Sequence, residues 1–437
     1  MKPFLKSNRV FLFLAAAIFA GIIFRFLWPL DIEMKFDETE TFNYLRDWRR
    51  GEISFPWVGQ PSSNGLRHPG LGIWLFLLLG KVFPVETFVD LARIPPVLAV
   101  LNLALLLGFS WFALRGLARR YFLWTVALMA VNPFLVLMDR KLWHPSVMGL
   151  FVSVFFLAWM KRRSRWGSFF LGLFCLLPGQ VHMSGFFVTL GFFLCDLLYN
   201  RFRTLRSVLW PAFGGGLLLS ILPLAPWIYW LVADLGKGDS VSSKFSRLFG
   251  FKYPNYWFSN AFGVLGTYPF GTVPYRQPLY SGLAIILLLL AVAGGLMFFF
   301  RAWRFVRRRQ RAELTQLELF ASFGTGLIAT LSLMHIPRYF TLCLGFVPFL
   351  SAVRSLSLFR YGKILLASLI VVQAAVSLFL LAHIHYQPYP QDKDFSAYGV
   401  FGIPVRECGN CDGVLKFERI SGGEETVDTG KRKEAGQ

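Results

Sequence analysis

Charged residues are scarce in this chain of 437 residues: only 16% are Asp, Glu, Lys or Arg, against 55% hydrophobic residues. A soluble domain cannot hide so much apolar side-chain surface. Long apolar runs recur along the whole sequence, and they predict an all-α polytopic membrane protein.

Acidic residues are especially few, with 24 Asp and Glu against 45 Lys and Arg and a formal net charge of +21. In a soluble protein this excess would favour nucleic acid as the partner. In an apolar helical protein it instead indicates cytoplasmic loops that face anionic lipid head groups. We therefore expect membrane lipids, and no nucleic acid, among the partners.

A signal-peptide cleavage site is not evident. The first apolar run, 10–30, is too long for the hydrophobic region of a signal peptide, and no small-residue motif follows it. We expect it to remain as a membrane helix. Segment 70–83 is apolar but too short to cross a bilayer, so we expect it to lie at the interface.

Apolar length and charge breaks predict about eleven membrane spans. The pair 166–181 and 183–199 is short, and it could form two full spans or a hairpin that does not cross completely. The predicted spans are 10–30, 91–114, 121–138, 143–160, 166–181, 183–199, 208–232, 279–300, 317–334, 337–353 and 364–385.

Basic residues orient these spans, because every second short loop is rich in Arg or Lys. The positive-inside rule then places the N-terminus in the cytoplasm. The first loop (31–90), the loop 233–278 and the tail 386–437 fall on the outer side of the membrane. We expect a multi-pass protein of a bacterial cytoplasmic (inner) membrane, with residues 1–385 forming one transmembrane domain.

Cysteine is also sparse, with five residues. Three lie in predicted spans and are expected to be ordinary buried thiols. Cys408 and Cys411 form Cys-Gly-Asn-Cys in the outer tail, which favours a short-loop disulfide in an oxidising compartment. The tail of about fifty residues is too small for a substantial acceptor-recognition domain, and from about residue 422 its polar composition predicts disorder.

Two adjacent carboxylates, Asp37 and Glu38, follow the first span. Adjacent carboxylates repel each other, and a carboxylate placed where an enzyme meets a lipid-borne substrate is a candidate general base. Asp37 is followed three residues later by Glu40, as in a capping box. Apolar residues then recur at 42, 45 and 48, which predicts a short amphipathic helix on the membrane surface. Capping that helix is the plainer explanation for Asp37, but it does not account for Glu38.

The order of several motifs resembles the GT-C membrane glycosyltransferases, in the group of protein O-mannosyltransferases and lipid A aminoarabinose transferases. The resemblance covers roughly residues 8–385. The motifs that carry it are Asp37-Glu38, His68-Pro69 before an apolar stretch, Asp90-Leu91-Ala92-Arg93-Ile94-Pro95, Asn132-Pro133 followed by Asp139-Arg140-Lys141, and His335-Ile336-Pro337-Arg338-Tyr339-Phe340.

The resemblance implies a GT-C-like bundle that transfers a sugar, with inversion, from a polyprenyl-phosphate donor to an acceptor at the outer face of the membrane. Asp37 matches the first acidic position of the family, the general base or acceptor-orienting carboxylate, and Glu38 supports it. The acceptor would be a lipid, glycan or protein, as in lipopolysaccharide or protein glycosylation.

The leaving lipid phosphate needs cationic or N–H donors. Plainer explanations exist for each candidate: a basic side chain at a helix end can reach toward the interface, and a histidine can be an ordinary interior residue. The candidates are His68, Arg140, Lys141, His144, His182, Arg338 and Tyr339.

No cofactor is required by this chemistry. Asp37 and Asp139 could hold a divalent metal ion, but Asp139 matches the second acidic position of the family only loosely.

Two other functions remain open at this stage. A transporter or flippase of a lipid-linked glycan would show inverted repeats and charges near the membrane midplane, and no convincing repeat is present. A polymerase or ligase of surface polysaccharide would share the substrates, but it would not use the early Asp-Glu loop as its site.

Overall fold

Helices make up nearly all of the structure, which is a computed structural model of the protein. The described residues are 8–29, 31, 36–61, 66–235, 260–264, 278–309, 312–331, 342–386 and 414–428. The first half contains α1 (Asn8–Phe26), α2 (Phe36–Arg49), α3 (Leu71–Val82), α4 (Phe88–Ala92), α5 (Ile94–Phe112), α6 (Gly116–Val131), α7 (Pro133–Met138), α8 (His144–Met160), α9 (Arg165–Phe174), α10 (Leu177–Val181) and α11 (Ser184–Tyr199).

The second half continues with longer and more interrupted helices. It contains α12 (Trp210–Ile221), α13 (Ala225–Leu235), α14 (Pro278–Arg307), α15 (Glu313–Leu319), α16 (Thr325–Leu331), α17 (Val347–Leu356) and α18 (Gly362–Tyr386), with strands β1 (Val414–Glu418) and β2 (Glu424–Asp428) near the end.

Five helical segments of the described chain are long and apolar enough to cross a membrane. Their length and composition agree with a helical membrane protein, although the predicted number of about eleven crossings stays a prediction. The five segments are Asn8–Phe26, Phe88–Phe112, Trp210–Ala233, Ser281–Arg307 and Gly362–Ala382.

Three predicted spans are interrupted. Span 121–138 breaks at Asn132, whose Oδ1 accepts a hydrogen bond from the amide of Leu135 at 3.0 Å and caps α7. Pro133 has no N–H with which to continue α6. Span 166–181 divides into α9 and α10, and span 317–334 contains a π-helical turn over 320–324.

The C-terminal segment differs from the prediction of disorder from about residue 422. β1 and β2 pair antiparallel, with Val414 opposite Asp428. The disorder prediction is therefore wrong for 424–428. Cys408 and Cys411 lie outside the described residues, so their disulfide stays a prediction.

The centre of the bundle is α6, whose residues from Phe122 to Val131 are all buried. The neighbouring α1 approaches it at Gly21, where an added Cβ would lie only 2.2 Å from the carbonyl oxygen of Ala130. Any larger residue would push the two helices apart, so glycine permits this contact.

A second close contact joins α11 to the π-helical turn. A Cβ on Gly191 would lie 2.2 Å from the carbonyl oxygen of Gly324, and a Cβ on Gly324 would lie 2.2 Å from that of Gly191. We expect Gly191→Ala to lower the stability of the protein by about 1–3 kcal/mol, because the backbones must separate. Thermal unfolding in detergent measures the effect.

Gly214→Ala in α12 is the matched control, since its Cβ would meet no atom within 4 Å. Alanine is the better helix former, so this variant should be neutral or slightly stabilised. Equal melting temperatures for the two variants would contradict the tight contact at Gly191.

The ends of several helices meet at one face of the bundle. We call it the Asp37 face, because it carries Asp37. His385 at the end of α18 stacks on Trp28, just after α1, at 4.3 Å between ring centroids. Its Nδ1 also lies 2.9 Å from a carboxylate oxygen of Asp31. The ends of α1 and α18 therefore lie on the same face.

The turn of the C-terminal hairpin docks on that face as well. Arg50, just after α2, donates hydrogen bonds to the carbonyls of Ile420 at 3.0 Å and Arg419 at 2.8 Å. The amide of Ile420 donates to the carbonyl of Glu86 at 2.8 Å. The hairpin thus links the end of α2 to the segment before α4.

Candidate active site

Asp37 lies in the first turn of α2 and is exposed. Its Oδ2 accepts a hydrogen bond of 3.0 Å from the indole N–H of Trp143. Its backbone carbonyl accepts from Thr41 Oγ1 at 2.8 Å and Gln60 Nε2 at 3.0 Å. Because α2 begins at Phe36, Asp37 stands within the helix rather than before it as the predicted cap. The result is a carboxylate held in position and open to solvent.

Glu38 points the other way and is only 1% exposed. Its Oε1 lies 3.0 Å from Nζ of Lys141, and that ammonium group lies 4.6 Å from the ring centroid of Trp143. A buried carboxylate needs such a partner to offset its lost hydration. Its burial and its ion pair with Lys141 show a structural contact beside Trp143, and the predicted catalytic role of Glu38 stays a prediction.

Three of the predicted phosphate ligands, His68, His144 and His182, come together, and we call them the histidine cluster. The rings of His68 and His182 are 4.8 Å apart between centroids, and all three imidazoles interact electrostatically. Asp37 interacts electrostatically with His68. The cluster therefore adjoins the exposed carboxylate.

The helix packing explains why these histidines meet. A Cβ on Gly72 of α3 would lie 2.5 Å from the carbonyl oxygen of Val181 and 3.2 Å from Cγ of His144. This small residue lets α3, α8 and α10 converge, with His182 directly after α10. Among the described residues, Nδ1 of His68 and Nε2 of His144 are buried without a hydrogen-bond partner. These two ring nitrogens are therefore available to hydrogen-bond a further group.

Arg140, another predicted phosphate ligand, is buried against the end of α1. It is 4% exposed, and its guanidinium donates to the carbonyls of Phe24 at 3.3 Å, Trp28 at 2.7 Å and Asp31 at 3.1 Å. These carbonyls lie in the last turn of α1 and in the segment that follows it, where the backbone leaves the helical hydrogen-bond pattern. Arg140 therefore holds the end of α1 in place, and its contact with a phosphate stays a prediction.

Asp139 does not join Asp37 in a metal site. Its Oδ2 lies 2.7 Å from Nη2 of Arg25 and accepts a hydrogen bond of 2.8 Å from Nε of the same residue. The guanidinium already neutralises this buried carboxylate. Within the described chain, no group of three or more His, Cys, Asp or Glu side chains is arranged to hold a metal ion. Arg338 and Tyr339 lie outside the described residues.

Glu40 is a further carboxylate next to Asp37, and its sequence position alone suggested only a helix cap. Burial and the negative charge of Asp37 raise the pKa of its carboxyl, and Arg67 partly offsets this. The spacing of three residues between Asp37 and Glu40 places them on one helix face, so the sequence did contain a signal. Trp143 had no such signal, because only the tertiary fold brings it to Asp37.

The pH dependence of stability offers a test of the burial of His68, which lies in the loop before α3. Burial lowers the pKa of this imidazole to about 4, and the negative charge of Asp37 opposes part of the effect. The pKa in the unfolded chain is about 6.5. Between these values the unfolded chain binds more protons, so the protein loses stability as the pH falls through this window.

Replacing His68 by Asn should remove up to about 3 kcal/mol of that loss. We expect the melting temperature of the wild type to fall more steeply than that of His68→Asn between about pH 6.5 and pH 4. Thermal unfolding of both proteins in the same detergent measures this. Parallel curves would mean that His68 is not buried as a neutral group.

The helical bundle, with its surface helix α2 over a polar face, has a fold similar to that of the GT-C glycosyltransferases. One solved structure with this fold is the crystal structure of ArnT from Cupriavidus metallidurans bound to undecaprenyl phosphate. It superposes on this chain with a TM-score of 0.51 at 13% sequence identity. The match covers 82% of this chain and 62% of that one. The chain thus spans less than two thirds of the ArnT length.

A second match, of TM-score 0.48 and 14% identity, is to the apo oligosaccharyltransferase of Archaeoglobus fulgidus, covering 92% of this chain and 57% of that one. No protein-family model matches the chain, and no curated protein does so at the level of sequence. The similarity at this identity concerns the fold.

Proposed function

We propose that the protein is a membrane glycosyltransferase that moves a sugar from a polyprenyl-phosphate donor to an acceptor at the Asp37 face. The observation that carries this proposal is the exposed carboxylate of Asp37, held by Trp143 at 3.0 Å beside a buried histidine cluster. The fold similarity to ArnT, whose structure contains undecaprenyl phosphate, supports a donor of the same class.

Asp37 is the proposed general base. Its carboxylate takes the proton of an acceptor hydroxyl while that oxygen forms a bond to the anomeric carbon of the sugar. The bond from the anomeric carbon to the phosphate oxygen breaks, and the lipid phosphate leaves with the electron pair. The hydrogen bond from Trp143 fixes one carboxylate oxygen and leaves the other available for the proton.

The placement of the described carboxylates supports inversion at the anomeric carbon. A retaining mechanism would need a second close carboxylate as the nucleophile, on the opposite side of the bond from the first. Glu38 is buried against Lys141, and Glu40 belongs to the same helix as Asp37. Of these three, Asp37 is the exposed carboxylate, and a single carboxylate facing the sugar favours direct displacement.

The leaving phosphate is the proposed ligand of the histidine cluster and Lys141. An imidazole with a lowered pKa is neutral, so His68 would stabilise the phosphate through an N–H group rather than a full charge. His182 is already oriented by Ser184, with 2.7 Å between Nδ1 and Oγ. The ammonium group of Lys141 supplies positive charge next to Asp37. Arg338 and Tyr339 stay proposed phosphate ligands from the sequence pattern.

The proposed topology has about eleven crossings, a cytoplasmic N-terminus and the Asp37 face outside a bacterial inner membrane. The alternation of basic and acidic loops supports it. The shared face of the α1 and α18 ends and of the C-terminal hairpin is also consistent with an outer tail near the first outer loop.

The test is sugar transfer by purified protein in detergent, with several synthetic polyprenyl-phosphate sugars and with lipid A, glycan and peptide acceptors. Mass spectrometry detects the glycosylated acceptor and the released polyprenyl phosphate. Mass spectrometry of lipid A, surface glycan and exported proteins from a deletion strain identifies the natural acceptor. In proteoliposomes, movement of a lipid-linked glycan without bond formation would contradict the proposal and favour a flippase.

A further inference from the structure

A polar cavity lies at the end of the bundle away from Asp37. Its volume is about 500 Å³, and its lining includes Tyr199 and Asn200 at the end of α11. Helix α8 runs from His144 in the histidine cluster to Met160, beside this cavity. Seventeen helical residues rise by about 25 Å. The cavity is therefore separate from the candidate active site.

Arginine dominates the lining, with five arginines against one glutamate. Four of them are exposed and, within the described chain, their guanidinium groups form no hydrogen bond or ion pair. We call the cavity with these four residues the arginine cavity. The four are Arg163, Arg201, Arg203 and Arg309.

Other arginines at this end of the bundle are paired. Arg162 lies 3.2 Å from Glu313, and both Arg301 and Arg354 form ion pairs with the buried Glu318. The chain thus supplies acidic partners for the arginines that hold helices together. The arginine cavity differs, because its positive charge is left uncompensated by the described protein.

The backbone of the cavity is strained where it presents these arginines. Arg201 and Phe202 are consecutive residues with φ of 50° and 60°, and Arg309 has φ of 46°. Non-glycine residues seldom adopt this left-handed conformation. Here it caps α11, because the amides of Arg201 and Phe202 donate to the carbonyls of Leu198 at 3.3 Å and Leu197 at 2.8 Å.

A buried acid holds this strained turn in place. The carboxylate of Asp196 is fully buried and accepts hydrogen bonds from Asn200 Nδ2 at 2.7 Å and Thr204 Oγ1 at 3.0 Å. These two residues flank the strained pair 201–202. The turn is therefore fixed in a geometry that projects Arg201 and Arg203 at the cavity.

The end of α14 sets the depth of the cavity relative to the bilayer. Phe300 and Trp303 are exposed on this helix, and the guanidiniums of Arg304 and Arg307 lie 5.5 and 5.1 Å from their ring centroids. Aromatic residues next to arginines are typical of the membrane interface. Arg309 lies two residues beyond Arg307, so an interface at these aromatic residues would bring lipid head groups close to the arginine cavity.

We propose that the arginine cavity binds the phosphate group of an anionic ligand, at the membrane surface opposite to the Asp37 face. Guanidinium groups bind phosphate oxygens through paired, charge-assisted hydrogen bonds. Two sources of this chemistry exist, a phospholipid head group and a soluble phosphate compound. Neither is the sugar donor of the candidate active site, which lies at the other end of the helices.

The experiment is native mass spectrometry of the purified full-length protein with two probes, a short-chain phosphatidylglycerol and inorganic pyrophosphate. The test variant is Arg201→Gln/Arg203→Gln, and Arg309→Gln is a second, single variant. Arg115→Gln/Arg360→Gln is the matched control, because both residues are exposed and lie outside the cavity lining. Circular dichroism confirms that each variant keeps its helical content.

We expect at least one probe to bind about tenfold more weakly to the cavity variants than to the wild type and the control. A loss restricted to phosphatidylglycerol identifies a lipid as the ligand, and a loss of pyrophosphate binding identifies a soluble phosphate compound. If both probes bind the cavity variants and the control equally well, the proposal is overturned.

Discussion

Asp37→Asn is expected to reduce the rate of sugar transfer by about 10²–10⁴-fold, the usual contribution of a positioned general base. The amide has nearly the same shape, and it can still accept the hydrogen bond from Trp143 through its oxygen. The proton acceptor is lost, while the helix and its surroundings are kept. The measurement is kcat for release of polyprenyl phosphate by the purified variant.

Asp47→Asn serves as the matched control, since Asp47 belongs to the same helix and pairs with its neighbour Arg46 at 2.8 Å. This variant should transfer sugar at the rate of the wild type. The KM for the donor should change little in Asp37→Asn, because the acceptor proton and not the donor is affected. Full activity of a well-folded Asp37→Asn protein would remove Asp37 from the role of base.

Lys141→Met is expected to have the largest effect on stability, a loss of about 3–5 kcal/mol. The substitution removes the ammonium group that lies 3.0 Å from the buried carboxylate of Glu38. Removing one member of a buried ion pair is costly, whereas a buried neutral polar group costs much less. Thermal unfolding in detergent measures the loss, and sugar transfer should fall with it because Trp143 and Asp37 lose their support.

The double variant Glu38→Gln/Lys141→Met tests this explanation. Replacing Glu38 by glutamine removes the buried negative charge that Lys141 compensates. The double variant should therefore regain much of the stability lost in Lys141→Met. Lys81→Met is the control, because Lys81 also lies over a tryptophan ring, at 5.3 Å from the centroid of Trp48, but is exposed. A double variant no more stable than Lys141→Met would show that the ion pair is not the source of the loss.

The apolar runs predicted where helices lie, because a bilayer requires long apolar helices with internally satisfied backbones. They could not predict every interruption. The break at Asn132 has a visible cause in Pro133, but the π-helical turn over 320–324 has none in its own residues. That turn lies against Gly191, which is distant in the chain, so its irregular backbone depends on tertiary packing.

The candidate site, too, depends on tertiary packing that the sequence alone does not reveal. The sequence identified Asp37, His68, His144 and His182 one at a time, and only the convergence of α3, α8 and α10 brings the histidines together. Arg140 and Lys141 are adjacent and chemically alike, so no local pattern separates their roles. The difference arises because one side chain reaches the backbone carbonyls at and just after the end of α1 and the other reaches Glu38.

The hydrogen bonds from Arg50 to the turn of the C-terminal hairpin have a consequence for biosynthesis. Arg50 and the carbonyl of Ile420 are 370 positions apart in the chain. At about 5–20 residues per second, a ribosome needs roughly 20–70 s to synthesise the intervening chain. During that time every membrane helix after α2 is inserted while the end of α2 still lacks this partner. The surface helix that carries Asp37 is therefore among the first segments to be made and among the last to acquire its full set of contacts.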